Sequence, residues 1–152
     1  MERIYYRVLQ LVKKQIYTIY WFKSLFIKRR TITETDYKNL NWVFKYFERK
    51  YPFSTNSSYL LFKYEIRRAI RKKDDEIPND IVKMGANVTF KNILTGEILN
   101  IQLVYPNQEQ LRNLKLSVFS VVGMALFARK SGTTIDCFEG NRKIQLQILS
   151  IN

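Results

Sequence analysis

The residues that could perform chemistry in this chain of 152 residues are few, because the sequence contains no histidine and a single cysteine, Cys137. Without histidine the chain cannot build a Ser-His or Cys-His nucleophilic pair, and one cysteine cannot form a disulfide or a paired-cysteine zinc site within one chain. Most hydrolase chemistry is therefore excluded. We expect a protein that is not an enzyme and that uses neither a cofactor nor a small-molecule substrate.

The densest group of potential metal ligands is the acidic run Asp74-Asp75-Glu76. Three consecutive carboxylates cannot all face one cation without a tailored loop, and no partner ligand is evident. We therefore interpret the run as a solvated linker and predict no metal site. Cys137 lies on a predicted strand without a neighbouring feature that would activate its thiol, so we expect it to be a small core side chain.

Positive charge dominates the chain: 26 Lys and Arg residues against 13 Asp and Glu residues give a formal net charge of +13. Such a surplus attracts polyanions and acidic protein surfaces. Residues 1–30 contain eight Lys or Arg residues and one acid, so more than half of the surplus lies there. A second basic cluster comprises Arg67, Arg68, Arg71, Lys72 and Lys73. This cluster either contacts phosphates or forms a solvated helix end that pairs with residues 74–76.

Apolar and aromatic residues recur at spacings of three and four through residues 1–30, which predicts an amphipathic helix. The longest uncharged stretch, residues 15–22, is far shorter than the roughly 20 residues that a bilayer span requires. The helix either packs its aromatic stripe on the rest of the protein or lies on an anionic membrane surface. No cleavable signal peptide is evident, and together with the unpaired thiol this favours a cytoplasmic location.

Two further helices are predicted after residue 30. Thr33 can cap the first, with Asp36 three residues later supporting the same turn, and Pro52 disfavours helix at Tyr51. The second helix should begin near Ser57 and carry the second basic cluster at its C-terminal end, before a linker at residues 77–80. The apolar stripes of the two helices predict an antiparallel helical hairpin.

From residue 81 the apolar pattern changes to a period of two, which is typical of strands. One β-hairpin is predicted around residues 94–97 and another around residues 139–141, with a short helix over residues 121–128 between them. The fold class is therefore α+β, with a helical hairpin followed by an antiparallel sheet that carries one helix. We divide the chain into a basic N-terminal helix (1–30), a short hairpin (31–76) and a β-rich domain (77–152).

Short motifs in the C-terminal half occur in an order and spacing that resemble a known family. They are IPNDIVKM at residues 77–84, TGE at 95–97, LVYP at 103–106, LSV at 116–118 and VGMAL at 122–126. Together they are similar to the regulator of nucleoside diphosphate kinase (Rnk) branch of the Gre transcription elongation factors. The resemblance covers roughly residues 31–151 and is strongest after residue 77.

The resemblance implies a short antiparallel coiled-coil hairpin that points into the secondary channel of RNA polymerase, and an FKBP-like domain that grips the channel rim. In cleavage-competent Gre relatives, acidic residues at the hairpin tip help to hold a catalytic magnesium ion. The tip of this chain, residues 49–58, contains no Asp or Glu. We therefore predict polymerase binding without stimulation of transcript cleavage. The tip residues expected at the channel are Arg49, Lys50, Tyr51 and Phe53.

The family motif also implies a polymerase-docking surface around the start of the C-terminal helix. The residues carried over are Ser117, Ser120, Val121, Val122, Gly123 and Ala125. We expect Ser117, Ser120 and Val121 to be exposed for docking, and the buried members to pack helix on sheet. The sequence departs from the family pattern at Val121, Phe127 and Thr133.

A second hypothesis comes from another functional class. A basic protein of this kind could bind nucleic acid or an anionic membrane surface through residues 1–30 and 67–73, and such binding would weaken steeply with salt. The helical spacing of the aromatic residues favours packing over stacking platforms for single-stranded nucleic acid. Prolyl isomerase activity would rest on analogy with the FKBP-like fold alone.

Overall fold

In the part of the chain that the structure describes, two helices precede a five-stranded sheet that carries a third helix. The computed structural model describes residues 29–51 and 57–152, so most of the predicted helix over residues 1–30, its membrane contact and the tip residue Phe53 lie outside the described residues. The helices are α1 (Glu34–Lys50), α2 (Ser57–Arg67) and α3 (Val121–Leu126). The strands are β1 (Thr31–Thr33), β2 (Ile70–Lys72), β3 (Asn87–Asn92), β4 (Ile98–Val104), β5 (Lys115–Ser117), β6 (Thr134–Glu139) and β7 (Arg142–Ile151). The predicted α+β class is confirmed.

Helix α1 begins and ends where its sequence predicts. The Thr33 hydroxyl accepts a hydrogen bond from the backbone N–H of Asp36 at 2.8 Å, which satisfies one free amide of the first turn. The helix ends at Lys50, and the N–H of Tyr51 closes the last turn on the Phe47 carbonyl at 2.8 Å. Pro52 follows, and a residue before proline is disfavoured in helical geometry.

Helix α2 is shorter than predicted, so only part of the second basic cluster lies at the end of a helix. The helix stops at Arg67, and Ile70–Lys72 forms strand β2, which pairs in parallel with β1. The backbone of Thr31–Thr33 is available as a partner there, and the Ile70 N–H bonds the Arg30 carbonyl at 2.8 Å. Backbone pairing with a distant segment therefore replaces another turn of helix, and Arg71 and Lys72 lie on an exposed strand.

The large sheet has the strand order β5-β4-β3-β7-β6. Both predicted hairpins are confirmed, because β3 pairs antiparallel with β4 and β6 pairs antiparallel with β7. The expectation of a wholly antiparallel sheet is wrong for one pair, since β5 runs parallel to β4. Two 3₁₀ turns, at Pro106–Gln108 and Leu111–Asn113, bring the chain back before β5 begins, so the two strands point the same way.

The apolar core continues from the helices into the sheet domain. Buried residues of α1 and α2, such as Leu40, Phe44 and Phe62, belong to the same cluster as Val118, Leu126 and residues of β3, β4 and β7. The hairpin therefore lies against the sheet domain with its apolar face covered, and the division of the chain at residue 77 stays a prediction. None of the helices in the described part of the chain is long and apolar enough to cross a membrane.

Candidate functional site

The predicted docking surface is a hydrogen-bonded turn between β5 and α3. The Ser117 hydroxyl accepts from the Phe119 N–H at 3.0 Å, and the Ser117 carbonyl accepts from the Ser120 hydroxyl at 2.8 Å. The Ser120 oxygen in turn accepts from the N–H of Gly123 at 2.9 Å, so it caps α3. The two serines fix the backbone of the turn, which we call the docking turn (residues 117–123).

The accessibility of the turn differs from the prediction at one residue. Ser117 was expected to be exposed but retains only 5% of its accessible surface. It ends β5 in register with Val104 of β4, and its N–H bonds the Glu109 carboxylate at 3.1 Å, so it is enclosed by strand and loop. Of the six predicted docking residues, Ser120, Val121 and Val122 are half-buried, whereas Gly123 and Ala125 are buried. A partner can therefore reach Ser120, Val121 and Val122.

Gly123 is required by close packing. A Cβ atom added there would lie 2.1 Å from the Ser117 carbonyl oxygen and 2.9 Å from the Ser120 hydroxyl oxygen. Both distances are below any normal van der Waals contact, so a larger residue would displace the first turn of α3 from β5. The glycine shapes the docking turn rather than offering a contact surface.

The docking turn is anchored on the helical hairpin by Phe119, a residue that the sequence motifs did not single out. Its ring stacks on Phe44 of α1 at 5.3 Å between centroids. It also meets Phe47 edge-on at 5.4 Å and Tyr59 of α2 edge-on at 5.2 Å. Such aromatic pairs stabilise the fold by more than the burial of their apolar area alone would contribute. The position of the turn therefore depends on both helices.

Arg30 ties the beginning of the described chain to α3. Its Nη1 donates to the carbonyl oxygens of Met124 at 2.8 Å and Phe127 at 2.6 Å, which are among the free carbonyls at the end of α3. Its Nε donates to the Glu65 carboxylate at 2.8 Å, and the guanidinium lies 5.3 Å from the Phe62 ring centroid. Burial lowers the pKa of Arg30 to about 10, and the Glu65 carboxylate opposes that shift. Sequence reasoning placed Arg30 in the basic N-terminal helix and missed this role.

Asp36 makes a second connection between hairpin and sheet domain. Its carboxylate accepts from the Met84 N–H at 3.4 Å and from the Tyr105 hydroxyl at 3.2 Å. Burial raises the pKa of Asp36, although the hydrogen bonds counteract this. Burial also raises the pKa of Tyr105 to about 12, so the phenol remains a donor at neutral pH.

A cleft of about 310 Å³ opens beside the docking turn, between α2, α3 and β6. Its lining includes Leu61, Val121, Arg129 and Phe138. Cys137 of β6 also borders this cleft. Its side chain is half-buried and packs against the core, as predicted, and this burial raises the pKa of its thiol. Arg30, Glu65 and Asp136 also line the cleft, so it adds a largely apolar surface with charged residues at its border next to Val121.

The hairpin tip presents positive charge. Arg49, Lys50 and Tyr51 are exposed at the end of α1, whereas Phe53 is not among the described residues. The nearest acid, Glu48, forms an ion pair with Lys63 of α2 at 2.5 Å. Its carboxylate is therefore held between the helices by an ammonium group, which disfavours a role as a metal ligand.

The second basic cluster spreads over three short segments. Arg67 ends α2, Arg71 and Lys72 lie on β2, and Lys73 follows the strand, all four of them exposed. Arg68 is half-buried and packs on Tyr64, while Arg71 lies 4.7 Å from the centroid of the Tyr37 ring. Asp74, Asp75 and Glu76 form an exposed 3₁₀ turn, and no group of three or more possible metal ligands comes together within residues 29–51 and 57–152.

Comparison with known proteins points to one family. The family described as "Transcription elongation factor, GreA/GreB, C-term" matches residues 77–152. The Regulator of nucleoside diphosphate kinase of Escherichia coli K12 is 38% identical over 71 residues, which are 47% of this chain and 52% of that protein. The transcription elongation factor GreA of Clostridium botulinum (strain Alaska E43) is 28% identical over 131 residues, which are 82% of each chain.

The chain spans about half the length of the Rnk proteins that it matches. Among solved structures, the prokaryotic transcription elongation factor GreA/GreB from Nitrosomonas europaea superposes with a TM-score of 0.65. That match has 23% sequence identity and covers 80% of this chain and 98% of the other. It supports the same arrangement of helices and sheet.

Proposed function

The chain belongs to the GreA/GreB family of transcription elongation factors, and from this premise we propose that it is a Rnk-like regulator that binds RNA polymerase at the secondary channel without stimulating transcript cleavage. The observation that carries the proposal is the docking turn. It combines a fixed backbone with accessible apolar side chains at the position where the family motif implies contact with the polymerase.

The physical properties of the turn support docking. Because Ser117 and Ser120 hold the backbone by hydrogen bonds, a partner meets a surface that is already ordered, which reduces the entropy lost on binding. Val121 and Val122 are half-buried, and Val121 borders a largely apolar cleft, so a partner side chain can bury further apolar area there. Binding of this kind should depend only moderately on salt.

The charges at the tip support the absence of cleavage activity. Residues 49–58 contain no carboxylate that could coordinate a magnesium ion in the polymerase, and Glu48 is already paired with Lys63. A hard divalent cation needs oxygen ligands to activate water. A basic tip would instead repel the ion.

The test is retention of the full chain on immobilised core RNA polymerase from the source organism, at low salt and at about 0.2 M salt. The proposal predicts retention at both. No retention at low salt, where a basic protein should bind best, would contradict it.

The alternative is a nucleic-acid or anionic-surface binder that uses residues 1–30 and 67–73. A variant of the full chain with Arg3, Arg7, Lys13 and Lys14 replaced by Gln distinguishes its N-terminal part from docking through the turn. Docking through the turn predicts that polymerase binding persists. Loss of binding in this variant would favour the alternative.

A further inference from the structure

Helix α1 carries two aromatic side chains on its solvent face. Trp42 is 66% exposed and Tyr46 is 52% exposed, although the helical spacing of the aromatic residues favoured packing. The two rings stack on each other, with centroids 5.6 Å apart and planes inclined by only 9°. Exposed apolar side chains that lie together, rather than singly, are the ones that mark interaction sites.

A cleft of about 240 Å³ lies beside Trp42, between α1 and the turn after β4. Three carboxamide side chains line it, and they come from Asn39, Asn107 and Gln108. Each carboxamide can donate and accept hydrogen bonds, which is the capacity needed to read the edge of a nucleobase. Trp42, Val43 and Tyr105 also line the cleft, so aromatic and polar side chains border the same small space.

Positive charge surrounds this aromatic pair. At 100° per residue, the side chains of Lys38, Lys45 and Arg49 project within about 60° of Trp42 around the helix axis. All three are exposed, and Lys50 places its ammonium 6.0 Å from the Tyr46 ring centroid. Of the acids in α1, Asp36 is buried, Glu48 is paired with Lys63 and Glu34 lies at the first residue. The outer face is therefore basic along most of its length.

We propose that this outer face of α1 binds single-stranded nucleic acid, with one base stacked on the Trp42–Tyr46 pair. The carboxamides of the adjacent cleft contact the base edge, and the lysine and arginine side chains contact the phosphates. Stacking needs an unpaired base, because a duplex hides the base faces. Arg49 and Lys50 also belong to the hairpin tip, whereas Trp42, Tyr46 and the three carboxamides belong neither to the tip nor to the docking turn. The base-stacking part of the site is therefore separable from polymerase docking.

Trp42 itself provides the probe. The chain contains two tryptophans, Trp21 and Trp42, so a W21F variant leaves Trp42 as the only indole. The full chain with this substitution is titrated at low salt with a short single-stranded RNA, the DNA strand of the same sequence, their duplexes, and an abasic strand of equal length and charge. The RNA and DNA arms identify which single strand is preferred.

The proposal predicts that RNA or DNA single strands quench the Trp42 emission and that duplexes do not. It also predicts that the abasic strand binds about tenfold or more weakly than the strand with bases, which is the effect expected from losing one stacked base. Equal affinity for the abasic strand would mean that the surface only attracts phosphates, and it would overturn the proposal. Equal quenching by duplexes would do the same.

Substitutions at the face complete the test, with affinity measured by anisotropy of labelled strands so that no tryptophan is needed. W42A should weaken single-strand binding about tenfold. W42F keeps an aromatic ring and should therefore bind more tightly than W42A but more weakly than the parent. F138A removes a similarly exposed aromatic on β6, at 55% exposure, and should leave binding unchanged. Trp42 is exposed, so W42A should keep the melting temperature of the parent. Unchanged affinity in W42A would refute the site.

Discussion

The guanidinium of Arg30 donates to the carbonyl oxygen of Phe127 at 2.6 Å, so a residue before the first strand closes the end of the helix that follows the docking turn. The same guanidinium is paired with Glu65 of α2. The start of the described chain, the hairpin and α3 are therefore held by one buried cation. This contact fixes α3 from its C-terminal end, so the position of the docking turn depends on it.

Substituting Arg30 with alanine should lower the unfolding free energy of the protein. The change leaves Glu65 without its cation, and breaking a buried pair in this way typically costs about 3–5 kcal/mol of unfolding free energy. Urea denaturation of R30A against the parent measures it. R29A is the matched control. Arg29 is exposed, and the contact described for it is a hydrogen bond to the Arg68 carbonyl, so R29A should lower the unfolding free energy by less than about 1 kcal/mol. Equal losses in the two variants would contradict the role of Arg30.

Substituting Gly123 with alanine should lower the unfolding free energy by about 2–3 kcal/mol, because the new methyl group overlaps the Ser117 carbonyl. G85A is the comparison. At Gly85, with φ of +83°, an added Cβ meets nothing within 4 Å, so only the backbone cost of about 1 kcal/mol remains. Urea melts of both variants give the two values. The close contact would be refuted if G123A cost no more than G85A.

The contribution of Asp36 should make stability fall as pH rises. Its pKa in the folded protein is raised above the ordinary value of 3.8, so the folded state holds a proton in a range where the unfolded state has lost it. Stability from this group is therefore present below pH 3.8 and declines as pH rises through the raised pKa. Unfolding free energies of the parent and D36N between pH 3 and 7 should show the difference falling with pH.

Asp136 provides a control of opposite sign. Its exposed carboxylate is paired with Lys143 at 3.0 Å, which lowers the pKa, so its contribution is lost as pH falls. The difference between the parent and D136N should therefore rise with pH. A rising difference for D36N as well would show that burial of Asp36 does not dominate its ionisation.

Backtracked elongation complexes test the proposed absence of cleavage activity. Adding the chain should not accelerate transcript shortening, because the hairpin tip carries arginine and lysine rather than carboxylates. A cleavage-competent Gre factor in the same assay is the positive control. Transcript shortening that depends on adding this chain would show that the acid-free tip was wrongly interpreted.

Local sequence signals predicted the local structure well. The Thr33 cap and the proline after Tyr51 correctly predicted the two ends of α1. Alternating apolar residues around polar turns correctly predicted both β-hairpins. These elements depend on neighbours within a few residues. The motif at residues 122–126 likewise located α3, and close contact with Ser117 explains its glycine.

Contacts between distant residues were not predictable in the same way. The β1–β2 pair joins Thr31 to Ile70, and Arg30 reaches Met124, so no local periodicity reports either contact. The burial of Ser117 depends on the parallel pairing of β5 with β4, which also joins separate segments. The general expectation that the aromatic residues pack does not hold for Trp42, which lies outside the positions at spacings of three and four that form the apolar stripe of α1.

Docking through the turn is tested by the affinity of a V121E variant for core RNA polymerase, measured beside that of I98E. Val121 is accessible at the docking turn, whereas Ile98 is 57% exposed at the end of β4 farthest from the Val104–Ser117 pair. We predict at least about tenfold weaker binding for V121E, because a carboxylate placed in the contact must lose its hydration. I98E should bind like the parent. V121E binding as tightly as the parent and I98E would contradict docking through this turn.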